Sequence, residues 1–225
     1  MPIAELYNPQ KHKTVTRQES KDFDRWAIDE LGICSLVLME NAALGCTEVV
    51  ESMYPSLKKA VVVAGTGNNA GDGFVIARQL MNRGVECLTI LIGDTDKLTP
   101  DAKANYTLLE RLGASIDVKS AESAAKVGLQ EISGAELVID AIFGTGLSGS
   151  LREPWPRIIE HINAAEKPIL SVDIPSGLNC DTGEPLGAAV TAAETVSFVG
   201  CKKGFLEPCA AKYTGRLYIG SIGVK

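Results

Sequence analysis

The sequence predicts an α/β fold, a mainly parallel sheet covered by helices on both faces and preceded by a helical N-terminal extension. Three observations carry this reading. Short unbroken apolar runs such as Ala60-Val-Val-Val-Ala64 are typical of strands buried on both faces. They alternate with longer helical stretches ended by Gly84 and Gly113, the order of a parallel sheet with crossover helices. A chain of 225 residues, 45% of them apolar, can build one such core and is short for two. Residues 1–225 are therefore read as a single domain.

The elements follow in order. Thr16-x-x-Glu19 is a capping box, and Phe23, Trp26, Ala27 and Leu31 recur at helical spacing up to Gly32. A second helix is expected over about 35–53, closed by Pro55, so that two helices precede the first strand at 60–64. After a glycine-rich loop, a helix is expected from 74 to about 83 and a strand over 87–92. Helices then follow over 100–112 and 121–132, with a strand at 137–140. A helix over 154–165 and strands at 168–172, 195–199 and 217–219 complete the pattern. There is no repeat, low-complexity tract or linker.

Charge and composition narrow the function. The net charge of -6, from 22 basic and 28 acidic residues, argues against nucleic acid or an anionic membrane as the main partner. The one basic run is the short Cys201-Lys202-Lys203-Gly204. No apolar run reaches bilayer length. Residues 1–16 lack both the apolar core of a signal peptide and the Arg-rich character of a transit peptide, so a cytoplasmic protein is expected. Cys34, Cys46, Cys87, Cys180, Cys201 and Cys209 are scattered without a C-x-x-C pair, which predicts free buried thiols. His12 and His161 stand apart from one another and from the cysteines, so no zinc site is expected.

The chemistry gathers at one loop. Gly65-Thr66-Gly67-Asn68-Asn69-Ala70 fits G-x-G-x-x-A between a strand and a helix, the setting of a dinucleotide fingerprint. Glycines permit a tight turn and close approach of a ligand, and the helix start offers free N–H groups. The fit is incomplete: the loop continues through Gly71 to Asp72, a carboxylate where phosphates would lie, and the acidic residue after the second strand, Asp94, comes late. A P-loop is excluded because no Lys-Ser/Thr pair follows. Asn68, Asn69 and Asp72 are instead expected to meet a cation, a sugar or a reacting centre.

Two more strands deliver carboxylates to the same edge, outside which open parallel sheets bind ligands. The strand at 137–140 ends in Asp140 and opens into Gly144-Thr145-Gly146-Leu147-Ser148-Gly149-Ser150. The strand at 168–172 is followed by Asp173-Ile-Pro-Ser176-Gly177. Three carboxylates in one cleft require a cation among them or a raised pKa, as suits an acid or base. Glu40 and Asn41 interrupt an apolar helical run and are read as a polar stripe; the alternative is that Asn41 faces the cleft.

Met39-Glu-Asn-Ala42, Gly65-x-Gly-Asn-Asn-Ala-Gly-Asp-Gly73, Val138-Ile-Asp-Ala-Ile-Phe-Gly144-Thr-Gly146 and Val172-Asp-Ile-Pro-Ser-Gly177 together resemble the YjeF N-terminal family, the NAD(P)H-hydrate epimerases. The resemblance runs from about Thr16 to the C-terminus. Two positions depart from it, Ala70 for the usual glycine and Thr66 for a common proline. It implies a Rossmann-like three-layer α/β/α sandwich, a homodimer, and interconversion of the R and S forms of NADHX and NADPHX, hydrated at C6 of the nicotinamide ring. It implies that Asn68, Asn69, Ala70, Gly71, Asp72, Gly144, Thr145, Gly146, Leu147, Ser148, Gly149, Ser150 and Asp173 surround the substrate, and that Asn69, Asp140 and Ser176 hold a potassium ion. A separate NAD(P)HX dehydratase would act on the product. Asp173 is the expected main proton-transfer group, with Asp72 second. The rival readings are an NAD(P)-dependent oxidoreductase and a non-catalytic, RNA-associated scaffold of the same fold.

Overall fold

The computed structural model describes residues 2–224. The sheet grows from β3 (Lys59–Ala64), whose side chains alternate between two cores as the strand period requires. Ala60, Val62 and Ala64 enter one core; Val61 and Val63 enter the other. β4 (Glu86–Ile92) and β6 (Leu137–Ala141) divide in the same way. The first core is closed by α2 (Ser35–Met53), α3 (Asn68–Asn82) and α4 (Pro100–Arg111), and the second by α5 (Ala121–Val127) and α6 (Trp155–Ala164). Three layers result.

The remaining strands are β1 (Ala4–Leu6), β2 (Thr14–Val15), β5 (Ser115–Lys119), β7 (Ile169–Val172), β8 (Glu194–Phe198), β9 (Cys201–Lys202) and β10 (Arg216–Gly220). The eight-stranded sheet has the order β1-β10-β8-β7-β6-β3-β4-β5, parallel throughout except for β1 against β10. From β3 the chain winds outward through β4 and β5, then crosses back to β6 and winds the other way. The carboxyl ends of β3 and β6 thus flank the point where strand order reverses, the crevice in which such sheets bind ligands. α1 (Arg17–Asp29) carries the expected capping box and borders this crevice.

The structure departs from the sequence reading in several places. The opening is not wholly helical: β1 pairs with the sheet edge and β2 with β9 before α1 begins. Pairings of two or three residues leave no periodic pattern to read. β5 was not expected; it is a short edge strand, and its Ser-Ile-Asp-Val-Lys sequence is only partly buried. The helix expected over 121–132 stops at Gly128, whose φ of 78° lies in the left-handed region, and a 3₁₀ turn at Gln130–Gly134 follows. α3 starts at Asn68 rather than at Phe74, so most of the presumed loop is helix. All six cysteines are free, yet Cys34 and Cys209 are exposed rather than buried. Among the described residues, no helix is long and apolar enough to cross a membrane.

Candidate active site

A cavity of about 650 Å³ opens at the strand-order reversal. Its first wall comes from the turn after β3. A Cβ on Gly65 would lie 2.6 Å from the Ile142 carbonyl oxygen, so glycine alone lets the β3 and β6 turns meet here. Thr66, Gly67, Asn68, Asn69 and Asp72 line the cavity. As the first residues of α3, Asn68 and Asn69 have N–H groups without an acceptor inside the helix. Asn69 is buried against Gly144, and its Nδ2 has no partner among the described residues.

Ala70 and Gly71 do not belong to this wall. Ala70 is fully buried in the first core, and a Cβ on Gly71 would lie 2.6 Å from the Met39 side chain. Helical periodicity turns both away from the cleft, so the methyl of Ala70 cannot narrow it. Asp94 does not face a ligand either; it accepts from the Asp96 N–H and caps the 3₁₀ turn at Thr95–Lys97.

The turn after β6 forms the second wall, through Ile142, Phe143, Gly144, Thr145, Gly146 and Leu147. The Phe143 ring meets Trp155 edge-on at 4.6 Å. The Gly146 carbonyl accepts from Arg17 Nη2 at 2.7 Å, which ties the turn to the start of α1. Ser148, Gly149 and Ser150 continue outward from the cavity lining and are exposed.

Asp173 follows β7 with φ 65°, a left-handed backbone uncommon outside glycine. Its Oδ1 accepts from Lys202 Nζ at 2.8 Å and from the Phe198 N–H at 3.4 Å. Lys202 is only 1% exposed and lines the same cavity. In the sequence it was only part of the one short basic run; the structure buries it in an ion pair. Its pairing with Asp173 is long-range, so spacing could not reveal it. Its neighbours Gly200, Cys201, Lys203 and Gly204 gave no signal of burial. Ser20, Lys21 and Asp24 of α1 complete the mouth and were also missed.

The carboxyls differ sharply in surroundings. Burial, followed by the charges of Asp173, Asp24 and Asp101, raises the Asp72 carboxyl well above its ordinary value, and no donor or cation in the described residues pairs with it. Asp24, although its residue reaches solvent at the rim, is pushed up to about 6 by desolvation and then by the Asp173 charge, with Lys202 opposing.

Asp140 and Ser176 lie fully buried behind the cavity wall. Asp140 Oδ2 accepts from Ser171 Oγ and from the Ser176 N–H, each at 2.8 Å, and Oδ1 accepts from Ser176 Oγ at 2.5 Å. Burial raises the Asp140 carboxyl and these bonds oppose the rise. Ser176 Oγ also accepts from the Phe143 N–H at 2.9 Å, and Gly144, the next residue, packs on Asn69. Asp140 and Ser176 are thus bonded to one another, and the Phe143-Gly144 segment lies between them and Asn69, which brings amide, hydroxyl and carboxylate oxygens to one side of the cavity. Asp140 has no ion-pair partner among the described residues, and Ser176 Oγ keeps a lone pair. Such an oxygen set fits a hard cation and not zinc.

Glu40 and Asn41 lie outside the cavity. Glu40 accepts from Arg78 and from Gln79 Nε2, and Asn41 Nδ2 donates to the Val37 carbonyl at 3.0 Å.

This is a doubly wound α/β protein with an acidic, glycine-walled cavity at its strand-order reversal. The sequence family described as YjeF-related protein N-terminus matches residues 35–204, and the chain belongs to that family. It is similar to the NAD(P)H-hydrate epimerase of Oenococcus oeni, 34% identical over 93% of this chain and 96% of that protein. It is 40% identical to the bifunctional NAD(P)H-hydrate repair enzyme Nnr of Pyrobaculum aerophilum, over 94% of this chain and 42% of that longer protein. Among solved structures it resembles yeast ynu0, with a TM-score of 0.75 and 26% identity over 85% of this chain and 82% of that one.

Proposed function

We propose that this protein is an NAD(P)H-hydrate epimerase acting on NADHX and NADPHX. The observation that carries the reading is the meeting of Asp72 and Asp173 at one cavity in a chain of this family. C6 of the hydrate bears a hydroxyl beside the ring nitrogen. Loss of that hydroxyl leaves a planar iminium, and water returning on the other face inverts the centre. The step needs an acid for the departing oxygen and a base for the entering one.

Asp72, whose carboxyl is raised well above its ordinary value by burial and neighbouring carboxylates, is the acid: it protonates the hydroxyl, which leaves as water. Asp173, paired with Lys202, is the base that takes a proton from the entering water. The reverse reaction exchanges the roles, as microscopic reversibility requires. The free N–H groups at the start of α3 and the turn after β6 suit the diphosphate.

Asn69, Asp140 and Ser176 hold a potassium ion in this reading, and its charge offsets the buried Asp140. We also read the protein as a homodimer whose product is consumed by an NAD(P)HX dehydratase. The test supplies (R)-NADHX, an S-specific dehydratase and potassium, and follows the R form. Complete consumption, faster than the spontaneous rate, is expected; no acceleration would sink the proposal.

A further inference from the structure

We propose that Lys202 is a positioning residue for the reaction, acting through Asp173. This rests on the epimerase reading and deepens it.

Four features converge on one ammonium group. Lys202 Nζ donates to Asp173 Oδ1 at 2.8 Å, to the Phe198 carbonyl at 2.8 Å and to Ser20 Oγ at 3.5 Å, which uses all three of its protons. The residue is almost completely buried, and burying an ammonium is costly unless it is paired. Two non-glycine residues beside it are held in the left-handed region: Asp173 with φ 65° and Val199 with φ 68°. For a β-branched residue such as Val199 this is a real departure, of the kind that persists only where surrounding bonds enforce it. Phe198, immediately before Val199, donates its N–H to Asp173 Oδ1 and offers its carbonyl to Lys202.

Lys202, Asp173 and Phe198 thus close a ring of contacts that occupies one carboxylate oxygen of Asp173. Its Oδ2 has no partner among the described residues, and Asp173 lines the cavity. The ring fixes which oxygen is available to the substrate. The other charged groups lining this cavity are Asp24 from α1, Asp72 from α3 and Asp101 from α4, all acidic, with Lys21 at the mouth. Lys202 is the buried positive charge set against them.

The test compares Lys202→Met, Asp173→Asn and the double variant with wild-type protein, using (R)-NADHX with the S-specific dehydratase. Lys202→Met is expected to lower kcat by about 100-fold, the usual weight of a positioned proton-transfer group, with KM changed far less. The double variant should be no slower than Asp173→Asn, since the lysine acts through the aspartate. Losses that instead multiply in the double variant would overturn the proposal, as would a Lys202→Met protein within threefold of wild type.

If the single variant fails to fold, Lys202→Ala with added methylammonium supplies the readout: dose-dependent return of activity supports the proposal, and none overturns it. Wild-type activity in the same assay separates the outcomes. An inactive wild type refutes the epimerase reading, whereas an active wild type beside an unaffected Lys202 variant refutes only this inference.

Discussion

Asp72 and Asp173 face the same cavity, but only one of them has a counter-charge. Asp72 sits among Asp173, Asp24 and Asp101, and burial adds to their repulsion. A folded carboxyl with a raised pKa binds its proton more tightly than the unfolded chain does. Its contribution to stability is therefore fully present below the ordinary value of 3.8 and is lost as pH rises through the folded value. At pH 7 the wild type bears that cost. Asp72→Asn should consequently melt at higher temperature than wild type at pH 7, with the gap closing below about pH 4. The same variant should lose about 100-fold or more in epimerisation rate. A calorimetric pH series and the coupled assay check both halves. Asp173→Asn makes the opposite case, because it leaves the ammonium of Lys202 buried without its partner, and it should melt lower.

Among the elements, α3 explains both what could be read and what could not. The strands at 60–64 and 137–140 were legible because burial on both faces demands continuous apolar runs. The first turns of α3 were not, since Asn-Asn-Ala-Gly-Asp-Gly is a poor helix sequence by propensity. Packing overrides that preference. Gly71 admits Met39, and Gly73 lies so close to the sheet that a Cβ would stand 2.5 Å from that of Ala141. Gly73→Ala should therefore push α3 off the sheet and destabilise the protein by roughly 1–3 kcal/mol, measurable by denaturant unfolding. The same tertiary control kept Lys202 out of view. Asp140, Asp173 and Ser176 could be picked out from strand ends and the segments that follow them, and Asp72 from the glycine-rich motif. The partner of Asp173 comes from a two-residue strand that exists only because β2 lies beside it.

For the molecule as a whole, the cation is the feature most open to a solution test. An ion that binds only the folded state raises its stability with concentration. The melting temperature should rise with added potassium chloride more than with lithium chloride at equal ionic strength, and Asp140→Asn should abolish the difference. Sedimentation of the purified protein should show two copies per particle; a single copy at micromolar concentration would end the homodimer reading.

The register of β2 with β9, Thr14 beside Cys201 and Val15 beside Lys202, has a consequence for how the protein is made. The ribosome releases the first strand of that pair nearly two hundred residues before the second. Until the later one emerges, Asp173 has no ammonium to meet and the mouth formed by α1 has nothing to close upon. Contacts of such long sequence separation form late in folding. A chain halted before Cys201 holds every strand from β3 to β8 but lacks the ammonium that pairs with Asp173, so it is expected to epimerise more slowly than the chain that includes Lys202.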